Sequence, residues 1–134
     1  MRFNNLSIGL IVWVIFLVSC GQEESEEVPS EWEGQEAEFI KDFTTQKEGN
    51  DTLILHRNST EPFEGKVERN GTTHSTVQNF ERGRLNGKSV KKSMDGSWVE
   101  ANYKDGKLDG ELIFYSKNGK KRSVLKYSEG ILIK

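Results

Sequence analysis

The sequence has little cysteine, proline or histidine: one, two and two residues among 134. Because Cys20 is the only cysteine, no intramolecular disulfide can form, and an exported domain must hold together by strand pairing and packing. His56 and His74 belong to different predicted strands, with no second His or Cys at metal-ligand spacing, so no metal site is predicted. There is no glycine-rich phosphate loop and no catalytic constellation, so we predict neither an enzyme nor a cofactor.

Positive charge is missing from Gly21 to Ile40, which contains eight glutamates and no Lys or Arg. Residues 20–30 offer almost nothing to bury and are predicted to form a disordered acidic tether, extended by its like charges. From Gly49 to Lys134 the chain has 16 Lys and Arg against 11 Asp and Glu. That excess is too small to predict nucleic-acid binding, and no small-molecule substrate is indicated.

Long hydrophobic runs are also scarce, since the longest extends only from Ile8 to Val18 and is too short for a membrane-spanning helix. It follows Arg2 and ends at Leu17-Val18-Ser19-Cys20, as the apolar part of an export signal does. These last four residues resemble the bacterial lipobox. The resemblance implies a signal peptide over residues 1–19, a lipid on Cys20 and attachment to a membrane of the cell envelope. The alternative is an ordinary secretory signal that leaves Cys20 as a free thiol.

The acidic residues directly after Cys20 bear on which membrane face carries the protein. Gln22-Glu23-Glu24 resembles the surface-export signal of Bacteroidota lipoproteins, which would place the domain on an outer membrane and expose it at the surface. A solvated linker at the periplasmic face is the alternative.

Residues 31–50 are predicted to contain a short amphipathic helix that covers the open first strand or one face of the following sheet. Ser30 and Glu33 have the spacing of a capping box. The apolar residues expected on one helical face are Trp32, Phe39, Ile40 and Phe43. Extended structure is the alternative for this segment.

Residues 51–134 contain a repeat of 23 to 24 residues, shown by Phe80–Gly87, Tyr103–Gly110 and the truncated Tyr127–Leu132. We call these three segments the glycine boxes. A further turn signal precedes each box: Asn70-Gly71, Asp95-Gly96 and Asn118-Gly119. Asx-Gly pairs favour tight type I′ turns, so we expect tight turns there and longer turns in the glycine boxes. The predicted fold is all-β, an antiparallel meander of repeated β-hairpins.

Aligned repeats predict three columns of core residues. The first contains Val67, Val90 and Ile113, the second the box aromatics, and the third Leu85, Leu108 and Leu132. A degenerate first unit begins at Leu53 and contains Pro62-Phe63-Glu64-Gly65. We interpret the aromatic and leucine columns as packing residues rather than as a ligand platform.

The pattern Tyr-x-x-Gly-Lys-Leu-x-Gly, followed by Leu112-Ile113-Phe114-Tyr115 and Asn118-Gly119-Lys120, resembles the MORN-repeat variant family. This family includes bacterial lipoproteins and chains labelled as antitoxin components. The resemblance implies a MORN-like repeat sheet over residues 51–134 and a role in binding another protein.

One basic hairpin is a candidate partner surface. It contains the cations Lys117, Lys120, Lys121 and Arg122, with Trp98 and Tyr115 as aromatic anchors. The alternative is that these lysines only discourage edge-to-edge pairing. The leading hypothesis is a lipid-anchored, non-enzymatic scaffold with a protein partner. The other hypotheses are an antitoxin or immunity-type protein that neutralises a toxin, and a protein that binds anionic lipid or glycan at the membrane surface.

Overall fold

A computed structural model describes residues 29–134. The expectations for the signal peptide, Cys20 and most of the tether concern residues outside this range. The described chain is mostly β-structure with one short helix, so the predicted fold class is confirmed. Its elements are β1 (Glu31–Gln35), α1 (Glu36–Asp42), β2 (Phe43–Glu48), β3 (Asp51–His56), β4 (Gly65–Asn70), β5 (His74–Glu81), β6 (Arg84–Leu85), β7 (Gly87–Ser93), β8 (Trp98–Lys104), β9 (Lys107–Tyr115), β10 (Lys121–Ser128) and β11 (Ile131–Leu132).

The main sheet is the predicted meander. From β4 through β5, β7, β8, β9, β10 and β11, each strand pairs antiparallel with the next, and the short β6 pairs with β5. Two parts of the fold lie outside this pattern. β1 pairs parallel with β4, and β2 and β3 form a separate antiparallel hairpin. This hairpin turns at residues 49–50, so it joins the predicted cap segment to the predicted repeat domain.

The start of the cap segment is a strand, so the helix predicted from the Ser30–Glu33 pattern is wrong there. Residues 31–35 satisfy their backbone groups on the free edge of β4, and only residues 36–42 are helical. Glu38 provides the helix start, because its carboxylate accepts a hydrogen bond from the Gln35 N–H at 2.8 Å. Ile40 is exposed instead of sharing a buried face with Trp32. The edge of β4 is therefore covered by a strand, the alternative considered for this segment.

The turn types are the reverse of those predicted. Each glycine box contains a two-residue turn with both central φ angles positive: Arg82-Gly83, Asp105-Gly106 and Glu129-Gly130. These are type I′ turns. At Asp95-Gly96 and Asn118-Gly119 only the glycine has a positive φ, and at Asn70-Gly71 neither residue does. The Asp95 and Asn118 loops are longer because the Asx side chains bond to the backbone two residues on.

The type I′ turn at Glu129 allows a stabilising substitution. Glu129 has a φ of 48°, a conformation that asparagine tolerates better than glutamate. Glu129→Asn should therefore raise the free energy of unfolding by about 0.5 kcal/mol. Urea denaturation of the purified chain measures this. Glu129→Ala is the control, because alanine has no such tolerance and should give no gain; equal gains in both variants would contradict the turn assignment.

The glycine boxes also explain why the repeats stack. The first glycine of each box donates its N–H to a carbonyl of the preceding unit: Gly83 to Phe63 at 2.8 Å, Gly106 to Leu85 at 2.8 Å, and Gly130 to Leu108 at 2.7 Å. One backbone hydrogen bond per repeat therefore links successive turns. Within each box the aromatic faces its leucine across the strand pair, as in Phe80–Leu85 and Tyr103–Leu108.

One predicted column is wrong, and Leu132 of another column is 54% exposed instead of lying in the core. Val90 and Ile113 lie on one sheet face, in a cross-strand row that continues through Glu100 to Val124. Val67 lies on the opposite face, because it is two residues after Gly65 whereas Val90 is three residues after Gly87. Side chains alternate between faces, so an offset of one residue reverses the face. Glu68, not Val67, is the equivalent of Val90.

The core lies at the N-terminal end of the sheet. Its buried members are Trp32, Phe43, Phe63 and Val67, with Phe39 and Phe80 packed around them. Beyond β5 the described chain buries only Ala101 and Ile113 among its hydrophobic residues. The later repeats thus depend mainly on their hydrogen-bonded ladders, as the few apolar residues in their strands predict.

Candidate partner surface

Two aromatic rings from neighbouring strands form the centre of the candidate surface. Trp98 begins β8 and Tyr115 ends β9, and the two residues are directly opposite each other. Their rings are stacked, with centroids 4.7 Å apart and planes 12° apart. The indole N–H of Trp98 donates to the Glu100 carboxylate at 3.3 Å, which helps to fix the ring. Both rings remain partly exposed on the sheet face.

Lysines flank this aromatic pair in the same cross-strand row. Lys92 on β7 is opposite Trp98, and Lys121 on β10 is opposite Tyr115. Residues in one row share a face, so the two ammonium groups and two rings point to the same side. Lys92 lies outside the basic hairpin that the sequence predicts as the partner surface. The register that places it there follows from the turn at Asp95-Gly96, which could have identified it.

The turns after β7 and β9 extend the surface beyond the sheet. They lie side by side, because a Cβ added at Gly96 would be 3.3 Å from the Cβ of Lys117. Gly119 lies against the Trp98 ring, with a corresponding distance of 3.7 Å. Together the two turns line a shallow groove. Its residues are Asp95, Ser97, Ser116, Lys117, Asn118, Lys120, Lys121 and Arg122.

The four predicted cations, Lys117, Lys120, Lys121 and Arg122, are brought together here and are all exposed. None of them forms a salt bridge within residues 29–134, whereas Arg84, Lys88 and Lys126 each do. Lys91 faces the other side of the sheet, because it is opposite Val99. The groove therefore has an excess of positive charge, with Asp95 as the one carboxylate in its lining.

Asp95 is kept ionised by its own turn. The Ser97 hydroxyl donates to its carboxylate at 2.6 Å and the Ser97 N–H donates at 2.9 Å. These hydrogen bonds lower the pKa of Asp95 below 3.8, and the charges of Lys117 and Arg122 lower it further. The carboxylate thus orders the turn that carries it and offsets part of the positive charge of the groove.

Removing the Ser97 hydroxyl should raise the pKa of Asp95 toward 3.8. Since the folded-state pKa is depressed, this carboxylate stabilises the fold above pH 3.8 and loses that contribution as the pH falls through the folded value. Ser97→Ala should weaken that pH dependence. Carbon-13 NMR titration of the Asp95 carboxyl measures the shift. Ser116→Ala, which removes a serine hydroxyl from the other turn, is the control; an Asp95 pKa equal in wild type and Ser97→Ala would contradict the argument.

The described residues show no arrangement typical of a metal site. No group of three His, Cys, Asp or Glu side chains within residues 29–134 could hold a metal ion. His56 packs edge-on against the Phe43 ring in the small hairpin, and His74 lies at the start of β5. In the same range, no helix is long and apolar enough to cross a membrane.

Comparisons with known proteins identify no relative of this chain. No protein-family model matches the chain, and searches of curated sequences and of solved structures found no significant match.

Proposed function

We propose that this protein is a non-enzymatic interaction module of the cell envelope, attached to a membrane through a lipid on Cys20. Its MORN-like repeat sheet presents the partner surface. The observation that carries the proposal is a groove of four cations that form no salt bridge within residues 29–134, beside the stacked Trp98–Tyr115 pair. The lipobox-like residues and the acidic segment that follows support the anchor.

Aromatic residues and arginine are the types that contribute most to protein–protein binding when a partner covers them. The stacked Trp98 and Tyr115 rings have little side-chain freedom left to lose on binding. Exposed cations contribute mainly by attracting an oppositely charged partner and fixing its orientation. The surface therefore favours an acidic protein, with the two rings as the apolar centre and the cations as its rim.

Photo-crosslinking in intact cells tests this function. A partner captured by the wild-type chain should be lost when Lys117, Lys120, Lys121 and Arg122 are all changed to glutamate. The control changes four other exposed lysines to glutamate: Lys41, Lys47, Lys104 and Lys107. This control alters the net charge equally, but Lys104 and Lys107 lie at the opposite ends of β8 and β9 from the aromatic pair. Equal capture by both variants would contradict the proposal.

The same variants separate the other candidate functions. If the captured partner is a toxin, and deletion of the gene kills the cell, the protein is an antitoxin or immunity factor that uses this surface. If no protein is captured and the wild type binds vesicles of anionic phospholipid, the surface recognises lipid and the protein-interaction proposal fails. Equal fatty-acid labelling of wild type and Cys20→Ala would overturn the anchor.

A further inference from the structure

β10 has an incompletely paired outer edge. Its inner side pairs with β9 from Lys121 to Tyr127, but β11 covers only the end of its outer side, through Tyr127–Leu132 and Ser128–Ile131. No strand of the described chain lies against the outer side of residues 121–125. We call these five residues the β10 edge.

The hydrogen-bonding groups of this edge point outward at Val124. Lys126 directs both its N–H and its C=O to the outer side, where they bond to Lys134 and Ile133 at 2.8 Å. Backbone groups alternate in direction along an antiparallel strand, so the N–H and C=O of Val124 face the same outer side. Within residues 29–134 no strand meets them. The Val124 side chain is 41% exposed.

Cations flank Val124 on both sides. Lys121 and Arg122 precede it, and the register shift between Lys121 and Ser123 places Arg122 in a bulge. Lys126 follows it and is 3.8 Å from Glu111, an exposed and therefore weak ion pair. The edge thus offers one outward backbone donor and one acceptor within a row of positive charge.

We propose that the β10 edge binds an extended acidic segment of a partner protein, which adds to the sheet as a further strand. Main-chain hydrogen bonds to Val124 would hold the segment, and its carboxylates would lie opposite the flanking cations. This inference rests on the proposed interaction function and specifies the partner's chemistry. Lys121 and Arg122 belong to both the groove and the β10 edge, so one partner can contact both.

Charge decides against a second copy of this chain as the occupant. If two β10 edges paired antiparallel about Val124, Arg122 of each copy would be opposite Lys126 of the other. Like charges directly opposite destabilise a strand pair. Lysines and bulges on edge strands block such self-pairing in natural sheets. An acidic segment meets no such repulsion, so the features that exclude a second copy favour an acidic partner.

The side-chain pattern of the best partner follows from the register. Lys121, Val124 and Lys126 lie on one sheet face, with the bulge between the first two. A complementary strand would place an apolar, β-branched residue opposite Val124 and glutamate or aspartate at the alternate positions on either side. Threonines at the intervening positions would favour the extended conformation.

A fluorescent peptide with that pattern (glutamate, valine and glutamate alternating with threonine) is the probe, and its binding to the full-length protein is measured by fluorescence anisotropy. A second peptide has proline in place of the central valine, which keeps the charge but removes the N–H. We expect the proline peptide to bind about tenfold more weakly, since it loses main-chain hydrogen bonds.

A substitution on the protein tests the same contact. Val124→Pro should weaken binding of the parent peptide about tenfold for the same reason. Its own ladder to β9 should survive, because the Val124 N–H points outward.

Equal binding of the two peptides would overturn strand addition whether or not Val124→Pro folds. The same holds if a folded Val124→Pro protein binds the parent peptide as tightly as wild type does. A dimer of wild type in sedimentation, lost in Val124→Pro, would overturn the acidic-partner assignment in favour of a second copy. In intact cells, capture lost with the four charge reversals but kept with Val124→Pro would retain the proposed function and reject only this binding mode.

Discussion

Replacing Phe63 by alanine should lower the free energy of unfolding by about 3–5 kcal/mol, the range for a buried phenylalanine. Phe63 is 2% exposed, and its ring packs edge-on against Phe43 at 5.0 Å and against Phe80 at 6.1 Å. Phe43 belongs to the small hairpin and Phe80 to the main sheet. The substitution therefore opens a cavity where these two parts of the fold meet.

The backbone around Phe63 limits any collapse of that cavity. The Phe63 N–H donates to Ile54 at 2.9 Å, and its carbonyl accepts from Gly83 at 2.8 Å. Urea denaturation of the purified chain measures the loss. The control is Phe114→Ala, because Phe114 lies in the thinly packed later repeats and is 37% exposed; it should cost less than about 1.5 kcal/mol. Similar costs for the two variants would contradict a core concentrated at the N-terminal end.

Gly65→Ala should have the second large effect. A Cβ at Gly65 would lie 1.9 Å from the carbonyl oxygen of Ser30, and the residue has a φ of +143° that L-residues rarely adopt. The Ser30 oxygen cannot move freely, because it accepts the Lys66 N–H at 2.9 Å at the start of the parallel β1–β4 ladder. We expect β1 to separate from β4, with a loss of about 3 kcal/mol or more from strain and overpacking together.

Gly110→Ala is the matched control for Gly65. Gly110 occupies the equivalent position in a later repeat and has a φ of +109°, but its added Cβ would meet only the Asn102 side chain at 3.4 Å. It should suffer backbone strain of about 1–2 kcal/mol without the clash. Denaturation midpoints give the comparison, and amide exchange of residues 31–35 reports the release of β1. Equal losses, with β1 still protected in Gly65→Ala, would show that the Ser30 contact is unimportant.

The repeat carried most of the information about the main sheet. Period, glycine spacing and alternating aromatic and leucine residues predict an all-β hairpin meander, since each signal is local and recurs. The predicted turn types are the reverse of the observed ones, because hydrogen bonds between stacked units fix the turns and leave no local signal. In each box the type I′ turn positions the first glycine to donate to the preceding unit, as Gly106 does to Leu85. Such a hydrogen bond outweighs the unfavourable positive φ of the residue before the glycine, as at Arg82 or Glu129.

The candidate surface was also predictable in part. Trp98 and Tyr115 could be chosen as exposed aromatics near a basic hairpin, but their stacking depends on a register that spans two strands. Asp95 joins the site only because the turn after β7 lies beside the turn after β9. Such proximity between separate hairpins leaves no signal in either segment alone.

By itself the sequence determined the class of fold, the repeat and the positions of its turns, and the place where charge changes sign, because short-range spacing sets each of these. Only the tertiary structure decided what covers the first edge, where the core lies and which edge stays open. Trp32 belongs to a strand rather than a helix because the backbone of residues 31–35 gains a partner in β4. The local sequence pattern does not predict this strand pairing, since it depends on residues more than 30 positions away.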